Sequence, residues 1–211
     1  IQGFYGKIKD VNGINHPIQL ASLEWNIAPV KDKRFSQFQH ALMQAEMLGQ
    51  FIEGGLSMAC IWPGTWTRGD IQDNFRTVLD QEQHKQTSTF EMMKLYSNIL
   101  GQQLIGSATS QPHVRPVCAL SRDGKTLWVY LLHKSGEGKT IKANIVVNGY
   151  IATHAEAISL TAPSLSAIEN GSKYPINVSQ LKKLTIETTD NGKWQTTLPP
   201  HSLTMLQFHV H

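Results

Sequence analysis

The residues best suited to chemistry are Glu24, Trp25 and Asn26, which close the stretch Pro17-Ile18-Gln19-Leu20-Ala21-Ser22-Leu23-Glu24-Trp25-Asn26. A carboxylate can attack as a nucleophile, an indole can stack on an apolar face, and an amide can bind hydroxyls or hold a loop. Ile18, Leu20, Ala21 and Leu23 suit a strand covered on both sides, as in a parallel sheet with helices outside. A carboxylate at the carboxyl end of such a strand sits where α/β barrels keep their active sites. A second apolar run, Leu56 to Trp62, also ends on an aromatic and is followed by Pro63-Gly64. Trp62 and Trp66 are candidate platforms for the apolar face of a ligand, and Arg68 could bind an anion or a hydroxyl. The plainer alternatives are a solvated Glu24, a core Trp62, a loop-anchoring Trp66 and a surface Arg68.

These residues need elements to position them. Phe4, Tyr5, Ile8 and Val11 fit the last turns of a helix stopped by Asn12-Gly13. A helix is predicted from about Arg34 to Glu53, with Phe35, Phe38, Leu42, Ala45 and Ile52 on one face and Gly54-Gly55 as its stop. Strand, helix, Gly stop and strand is the grammar of a parallel βαβ unit. Residues 64–86 read as a long polar loop. A second helix is predicted over Thr89–Leu100, with Ser88 and Glu91 as a capping box and Gly101 as its end.

After about Gly106 the helical period disappears. Strands are predicted at 114–120, 126–132, 140–147, 151–160, 181–188, 194–197 and 203–210, with turns at Arg122–Lys125 and Asp190–Lys193. The expected fold class is therefore α/β plus all-β: a βα portion over residues 1–105 and an antiparallel sandwich over 106–211.

Composition narrows the function. With 211 residues and 40% hydrophobic content a packed core is expected. A net charge of +3 with scattered Lys and Arg points to no nucleic-acid partner, and no apolar run is long enough to span a bilayer. Cys60 and Cys118 both lie in apolar runs and are expected to be buried free thiols. Gly136-Glu137-Gly138-Lys139-Thr140 echoes a phosphate loop, but His133 stands where its first Gly belongs, so a hairpin turn is expected. His209 and His211 share a strand face without a third ligand in view. Asn170-Gly-Ser and Asn177-Val-Ser fit glycosylation sequons. Neither a metal nor a cofactor is expected. The chain starts at Ile1 without Met, so its true amino terminus is expected elsewhere.

Leu23-Glu24-Trp25-Asn26, Ile61-Trp62-Pro63, the helix Met92–Gly101 and the closing Leu198-Pro199-Pro200-His201-Ser202-Leu203-Thr204 occur in an order that resembles the carboxyl-terminal end of clan A retaining glycoside hydrolases. Gly49–Gly55 and Met58–Pro63 look most like the β-agarase and β-porphyranase branch; arabinofuranosidases and β-xylosidases carry a similar Glu-Trp-Asn strand. The resemblance implies that Glu24 ends the seventh strand of an eight-stranded (β/α)8 TIM barrel and is the nucleophile, with Trp62 ending the eighth. It further implies a secreted enzyme, extracellular or periplasmic, acting on an agar- or porphyran-type galactan, with Trp25, Asn26, Trp62, Trp66 and Arg68 around the substrate.

The family's Asn-Glu acid/base pair occurs nowhere in the 211 residues. Retaining hydrolysis needs two carboxyl groups about 5–5.5 Å apart, so this chain alone is expected to be inactive. The rest of the barrel is expected from a missing amino-terminal part or another chain. The competing reading is a non-catalytic β-sandwich that binds carbohydrate or braces its neighbour.

Overall fold

The computed structural model describes residues 19–27, 36–65, 76–80, 85–166, 178–189 and 193–211. The helix expected over the first 12 residues, and Phe35, lie outside them. Strand β1 (Ala21–Trp25) leads to helix α1 (Gln37–Glu53) and strand β2 (Met58–Ile61), which pairs with β1 in parallel. Ser36 caps α1 by accepting from the Gln39 N–H at 3.1 Å, and the chain leaves the helix through Gly55 at φ 74°.

Helix α2 (Ser88–Tyr96) continues as a 3₁₀ turn, Ser97–Ile99, and the chain turns at Gly101, φ 72°. Its cap is Thr87, one residue before the expected Ser88. Thr87 has the extended backbone a cap requires and its hydroxyl accepts from the Phe90 N–H, whereas Ser88 is buried against the Ser179 hydroxyl, 2.9 Å away.

The rest is β. Strands β3 (Gln103–Ile105), β4 (Val114–Leu120), β5 (Thr126–His133), β11 (Ser202–Val210), β7 (Ala152–Thr161) and β8 (Gln180–Leu184) make an antiparallel sheet in the order β3-β4-β5-β11-β7-β8. Strands β6 (Ile141–Ile145), β10 (Trp194–Leu198) and β9 (Ile186–Thr188) make a second antiparallel sheet in the order β6-β10-β9.

Two segments differ from expectation. The strand predicted over 181–188 is two strands in different sheets, because the chain changes layers at Thr185; the Thr196 hydroxyl donates to the Thr185 carbonyl at 2.7 Å and satisfies it at the break. Gly136–Thr140 is not a hairpin turn: it carries the chain from β5 in the larger sheet to β6 in the smaller one. The turn at Arg122–Lys125 does join two paired strands, with Gly124 at φ 74°. Residues 190–192 lie outside the description.

Two cores follow from strand alternation. On β5, Leu127, Val129 and Leu131 face the smaller sheet while Tyr130 and Leu132 face the helices, which is why Leu127–Leu132 reads as one apolar run. The helix-side core joins Phe38, Ala41 and Ala45 of α1 and Met92, Leu95 and Tyr96 of α2 to Val117, Tyr130 and Met205 of the sheet. The molecule thus has helix, sheet and sheet layers. That packing crosses the expected 105/106 boundary, and β3 lies ahead of it.

The rings of Tyr96 and Tyr130 stack at 4.7 Å, and burial pushes both phenol pKa values up. Arg115 of β4 bridges Glu46 (2.9 Å) and Glu53 of α1, and Lys134 reaches Glu46 at 3.0 Å. Burial alone would raise the Glu46 carboxyl, but hydrogen bonds from Lys134 and Gln50 and the nearby positive charges hold it below the usual range.

Candidate functional site

The carboxyl ends of β1 and β2 lie side by side. Trp25 pairs with Ile61, and the Trp62 N–H donates to the Trp25 carbonyl at 3.2 Å. The register shifts between Ser22 and Trp25, so Leu23 and Glu24 together stand opposite the single residue Cys60. Bulges re-aim side chains at functional strand ends. Glu24 is exposed, and among the described residues its carboxylate has no ion-pair or hydrogen-bond partner.

The neighbouring site candidates behave differently. Trp25 is 5% exposed and packs edge-on to Phe51 of α1, ring centroids 5.4 Å apart, so its indole lies in the interior behind the strand pair. Asn26 spends its whole amide on protein groups. Its Nδ2 donates to the carbonyls of Trp62 (2.7 Å) and Arg76 (3.1 Å), and its Oδ1 accepts from the Ile27 N–H (2.7 Å) and Gln44 Nε2 (2.8 Å). Trp62 is 38% exposed, with the Arg76 guanidinium carbon 5.6 Å from its ring centroid, within cation–π range. Arg76 also donates to the Ile27 carbonyl at 3.1 Å. Trp66 and Arg68 lie outside the described residues. The structure thus brings Glu24, Asn26 and Trp62 to one strand end.

Sequence reasoning missed Gln44, Arg76 and Thr89. Gln44 is fully buried on α1, donates also to the Arg76 carbonyl (3.1 Å) and accepts from the Thr89 hydroxyl (2.6 Å). The available signal was a glutamine between Ala41 and Ala45, on the apolar face of a helix, where a polar side chain persists only if hydrogen-bonded.

Beneath Glu24 the outer face of the pair is uncovered among the described residues: Leu23 is 74% and Met58 49% exposed. Cys60, expected to be buried, is exposed on β2; only Cys118, inside the sandwich, is buried, and burial pushes its thiol up to about 11. The reason is that β2 has one neighbouring strand among the described residues and no layer over that face. One cavity of about 480 Å³ lies within the sandwich at Cys118 and Ile141, and another of similar volume lies between Ile27, α1 and His201. Among the described residues no cluster of three His, Cys, Asp or Glu could hold a metal ion, and no helix is long and apolar enough to cross a membrane.

No protein-family model and no curated protein sequence matches the chain. Solved structures do. A family GH51 α-L-arabinofuranosidase from Thermotoga petrophila RKU-1 is 17% identical with a TM-score of 0.70; the match covers 98% of this chain and 47% of that one. A family 30 subfamily 8 xylanase from Clostridium acetobutylicum is 12% identical with a TM-score of 0.60, over 93% of this chain and 46% of that one. A family 44 xyloglucanase from Paenibacillus polymyxa is 14% identical with a TM-score of 0.63, over 99% of this chain and 35% of that one. The chain spans less than half the length of these enzymes. What it shares with them, across nearly all of its own length, is the fold of a portion of a glycoside hydrolase.

Proposed function

We propose that the chain is the carboxyl-terminal part of a retaining glycoside hydrolase, with β1 and β2 as the last two strands of a (β/α)8 barrel and Glu24 as the nucleophile. The observation that carries this reading is an exposed carboxylate at the carboxyl end of a strand, beside a parallel strand ending in a half-exposed tryptophan. In the proposed reaction the Glu24 carboxylate attacks the anomeric carbon of the bound sugar. The leaving oxygen takes a proton from an acid/base carboxyl outside this chain, and water then cleaves the glycosyl ester with inversion at the same carbon. Two inversions retain configuration. Trp62 is proposed as the sugar platform, with Trp66 and Arg68 at the substrate. The amide of Asn26 is already engaged, so its contribution, like that of the buried Trp25, is to hold the strand end.

The remaining strands come, in this reading, from the preceding part of a longer polypeptide or from another chain; they would cover Leu23 and Met58 and complete the open edges. The substrate is a polysaccharide. Gly49–Gly55 and Met58–Pro63 favour an agar- or porphyran-type galactan, whereas the arabinofuranosidase and xylanase likenesses favour an arabinan or a xylan. Assaying the assembled enzyme on these polymers separates the two. The site is proposed to work outside the cell or in the periplasm, where polymers are accessible.

The deciding experiment is Glu24→Gln in the assembled enzyme. The amide is nearly isosteric but cannot form the ester, so kcat should fall by about 10⁴-fold or more with KM little changed. Azide added to Glu24→Ala should restore cleavage with inverted product configuration. Near-normal turnover by Glu24→Gln would reduce Glu24 to a structural carboxylate and leave the non-catalytic sandwich module as the better reading.

A further inference from the structure

We propose that Gln44, on helix α1 behind the strands, is the positioning residue of the strand-end site. The proposal rests on the reading of Glu24 and Trp62 as functional, but the geometry it invokes can be tested without it. Hydrogen-bond direction fixes the arrangement. The carbonyls of Trp62 and Arg76 can only accept, so the Asn26 side chain must turn its NH₂ toward them and its oxygen toward Gln44. Gln44 must then present its own NH₂ to Asn26 Oδ1 and to the Arg76 carbonyl, leaving Gln44 Oε1 to accept from the Thr89 hydroxyl.

Each amide orientation is therefore dictated by its neighbour, and neither can flip without setting acceptor against acceptor. The chain of bonds ties together the residue after β1, the residue after β2, the segment at Arg76 and the first turn of α2. Gln44 occupies its centre and is 0% exposed, so water cannot replace a lost partner. Asn26 is two residues from Glu24 and is bonded to the backbone of Trp62. The register of the carboxylate against the indole is thus set from the far side of the sheet, by a residue hydrogen-bonded to neither side chain.

The test uses nuclear magnetic resonance on the complete protein that carries these residues. Gln44→Met keeps side-chain length but removes all three hydrogen bonds. The backbone amide signals of Glu24, Asn26, Ile27 and Trp62 should shift by more than a linewidth or broaden, while the indole signals of Trp128 and Trp194 in the sandwich stay in place. Thr89→Val, which removes one donor, should move the same signals less, and Thr89→Ser, which keeps the hydroxyl, should return them to the wild-type positions. A folded Gln44→Met chain whose strand-end signals do not move overturns the proposal. If Gln44→Met does not fold, Thr89→Val decides: unmoved strand-end signals overturn it, and shifts reversed in Thr89→Ser support it. Failure of the glycosidase reading has a different signature, namely turnover by Glu24→Gln, and leaves these signals unaffected.

Discussion

The strand pair β1–β2 and the six-stranded sheet are built from similar apolar runs, yet they end in opposite circumstances. On β5, Leu127, Val129 and Leu131 face one core and Tyr130 and Leu132 another, all buried. On β1 and β2, Leu23 and Met58 stand exposed on one face while Trp25 is buried against α1 on the other. An apolar strand does not carry its own cover; it is stabilised only where a second layer takes its side chains out of water. Among the described residues the pair is held instead from one side, by α1 and by the polar bonds around Asn26 and Gln44. Antiparallel meanders can complete themselves within a short chain, whereas parallel strands depend on neighbours supplied by long crossovers.

Thiol chemistry gives the largest contrast. Cys60 on the open face should alkylate promptly in the native chain. Cys118 should lag by a factor of about 10³ or more, because its thiolate is suppressed by a pKa near 11 and reaction needs local opening. Quantitative labelling followed by mass spectrometry checks this, and equal rates would break the comparison.

Core truncation comes next. Leu206→Ala, at a fully buried position between the sheets, should destabilise the chain by about 2–5 kcal/mol. Leu23→Ala should change it by less than about 0.5 kcal/mol, because little surface is recovered from water on folding. Urea unfolding of the two variants measures both. A large loss from Leu23→Ala in the isolated chain would mean that its face is already covered, for instance by self-association.

The smallest effect belongs to the ion pairs that fasten α1 to the sheet. The folded-state pKa of Glu46 is depressed, so its contribution is present above the unfolded-state value and lost as pH falls through the folded one. Glu46→Gln should therefore cost about 1 kcal/mol near pH 7, with the gap to wild type closing in acid below about pH 4. Thermal melts at the two pH values test it; a gap that widens in acid would refute the sign.

The limits of sequence reading have physical causes. α1 and the strand at Val114 were legible because a 3.6-residue and a 2-residue apolar period survive in any environment that buries one face. Three strand residues at Gln103 were not, since so short a segment has no period of its own and is a strand only because β4 lies beside it. The change of sheets at Thr185 was equally silent: both halves read as strand, and the break is visible only in which partner each one finds.

The same division runs through the site. That a carboxylate and two aromatics stand at the ends of apolar strands was legible in residue order alone, because strand ends are marked by local composition. That Trp25 turns inward, that Asn26 is consumed by protein hydrogen bonds, and that Asn26 and Gln44 orient each other's amides emerged only in three dimensions. Hydrogen bonds between residues 18 and 50 positions apart leave no trace in local spacing. Whether Cys60 or Leu23 is buried was decided by the layers around them, which local composition does not encode.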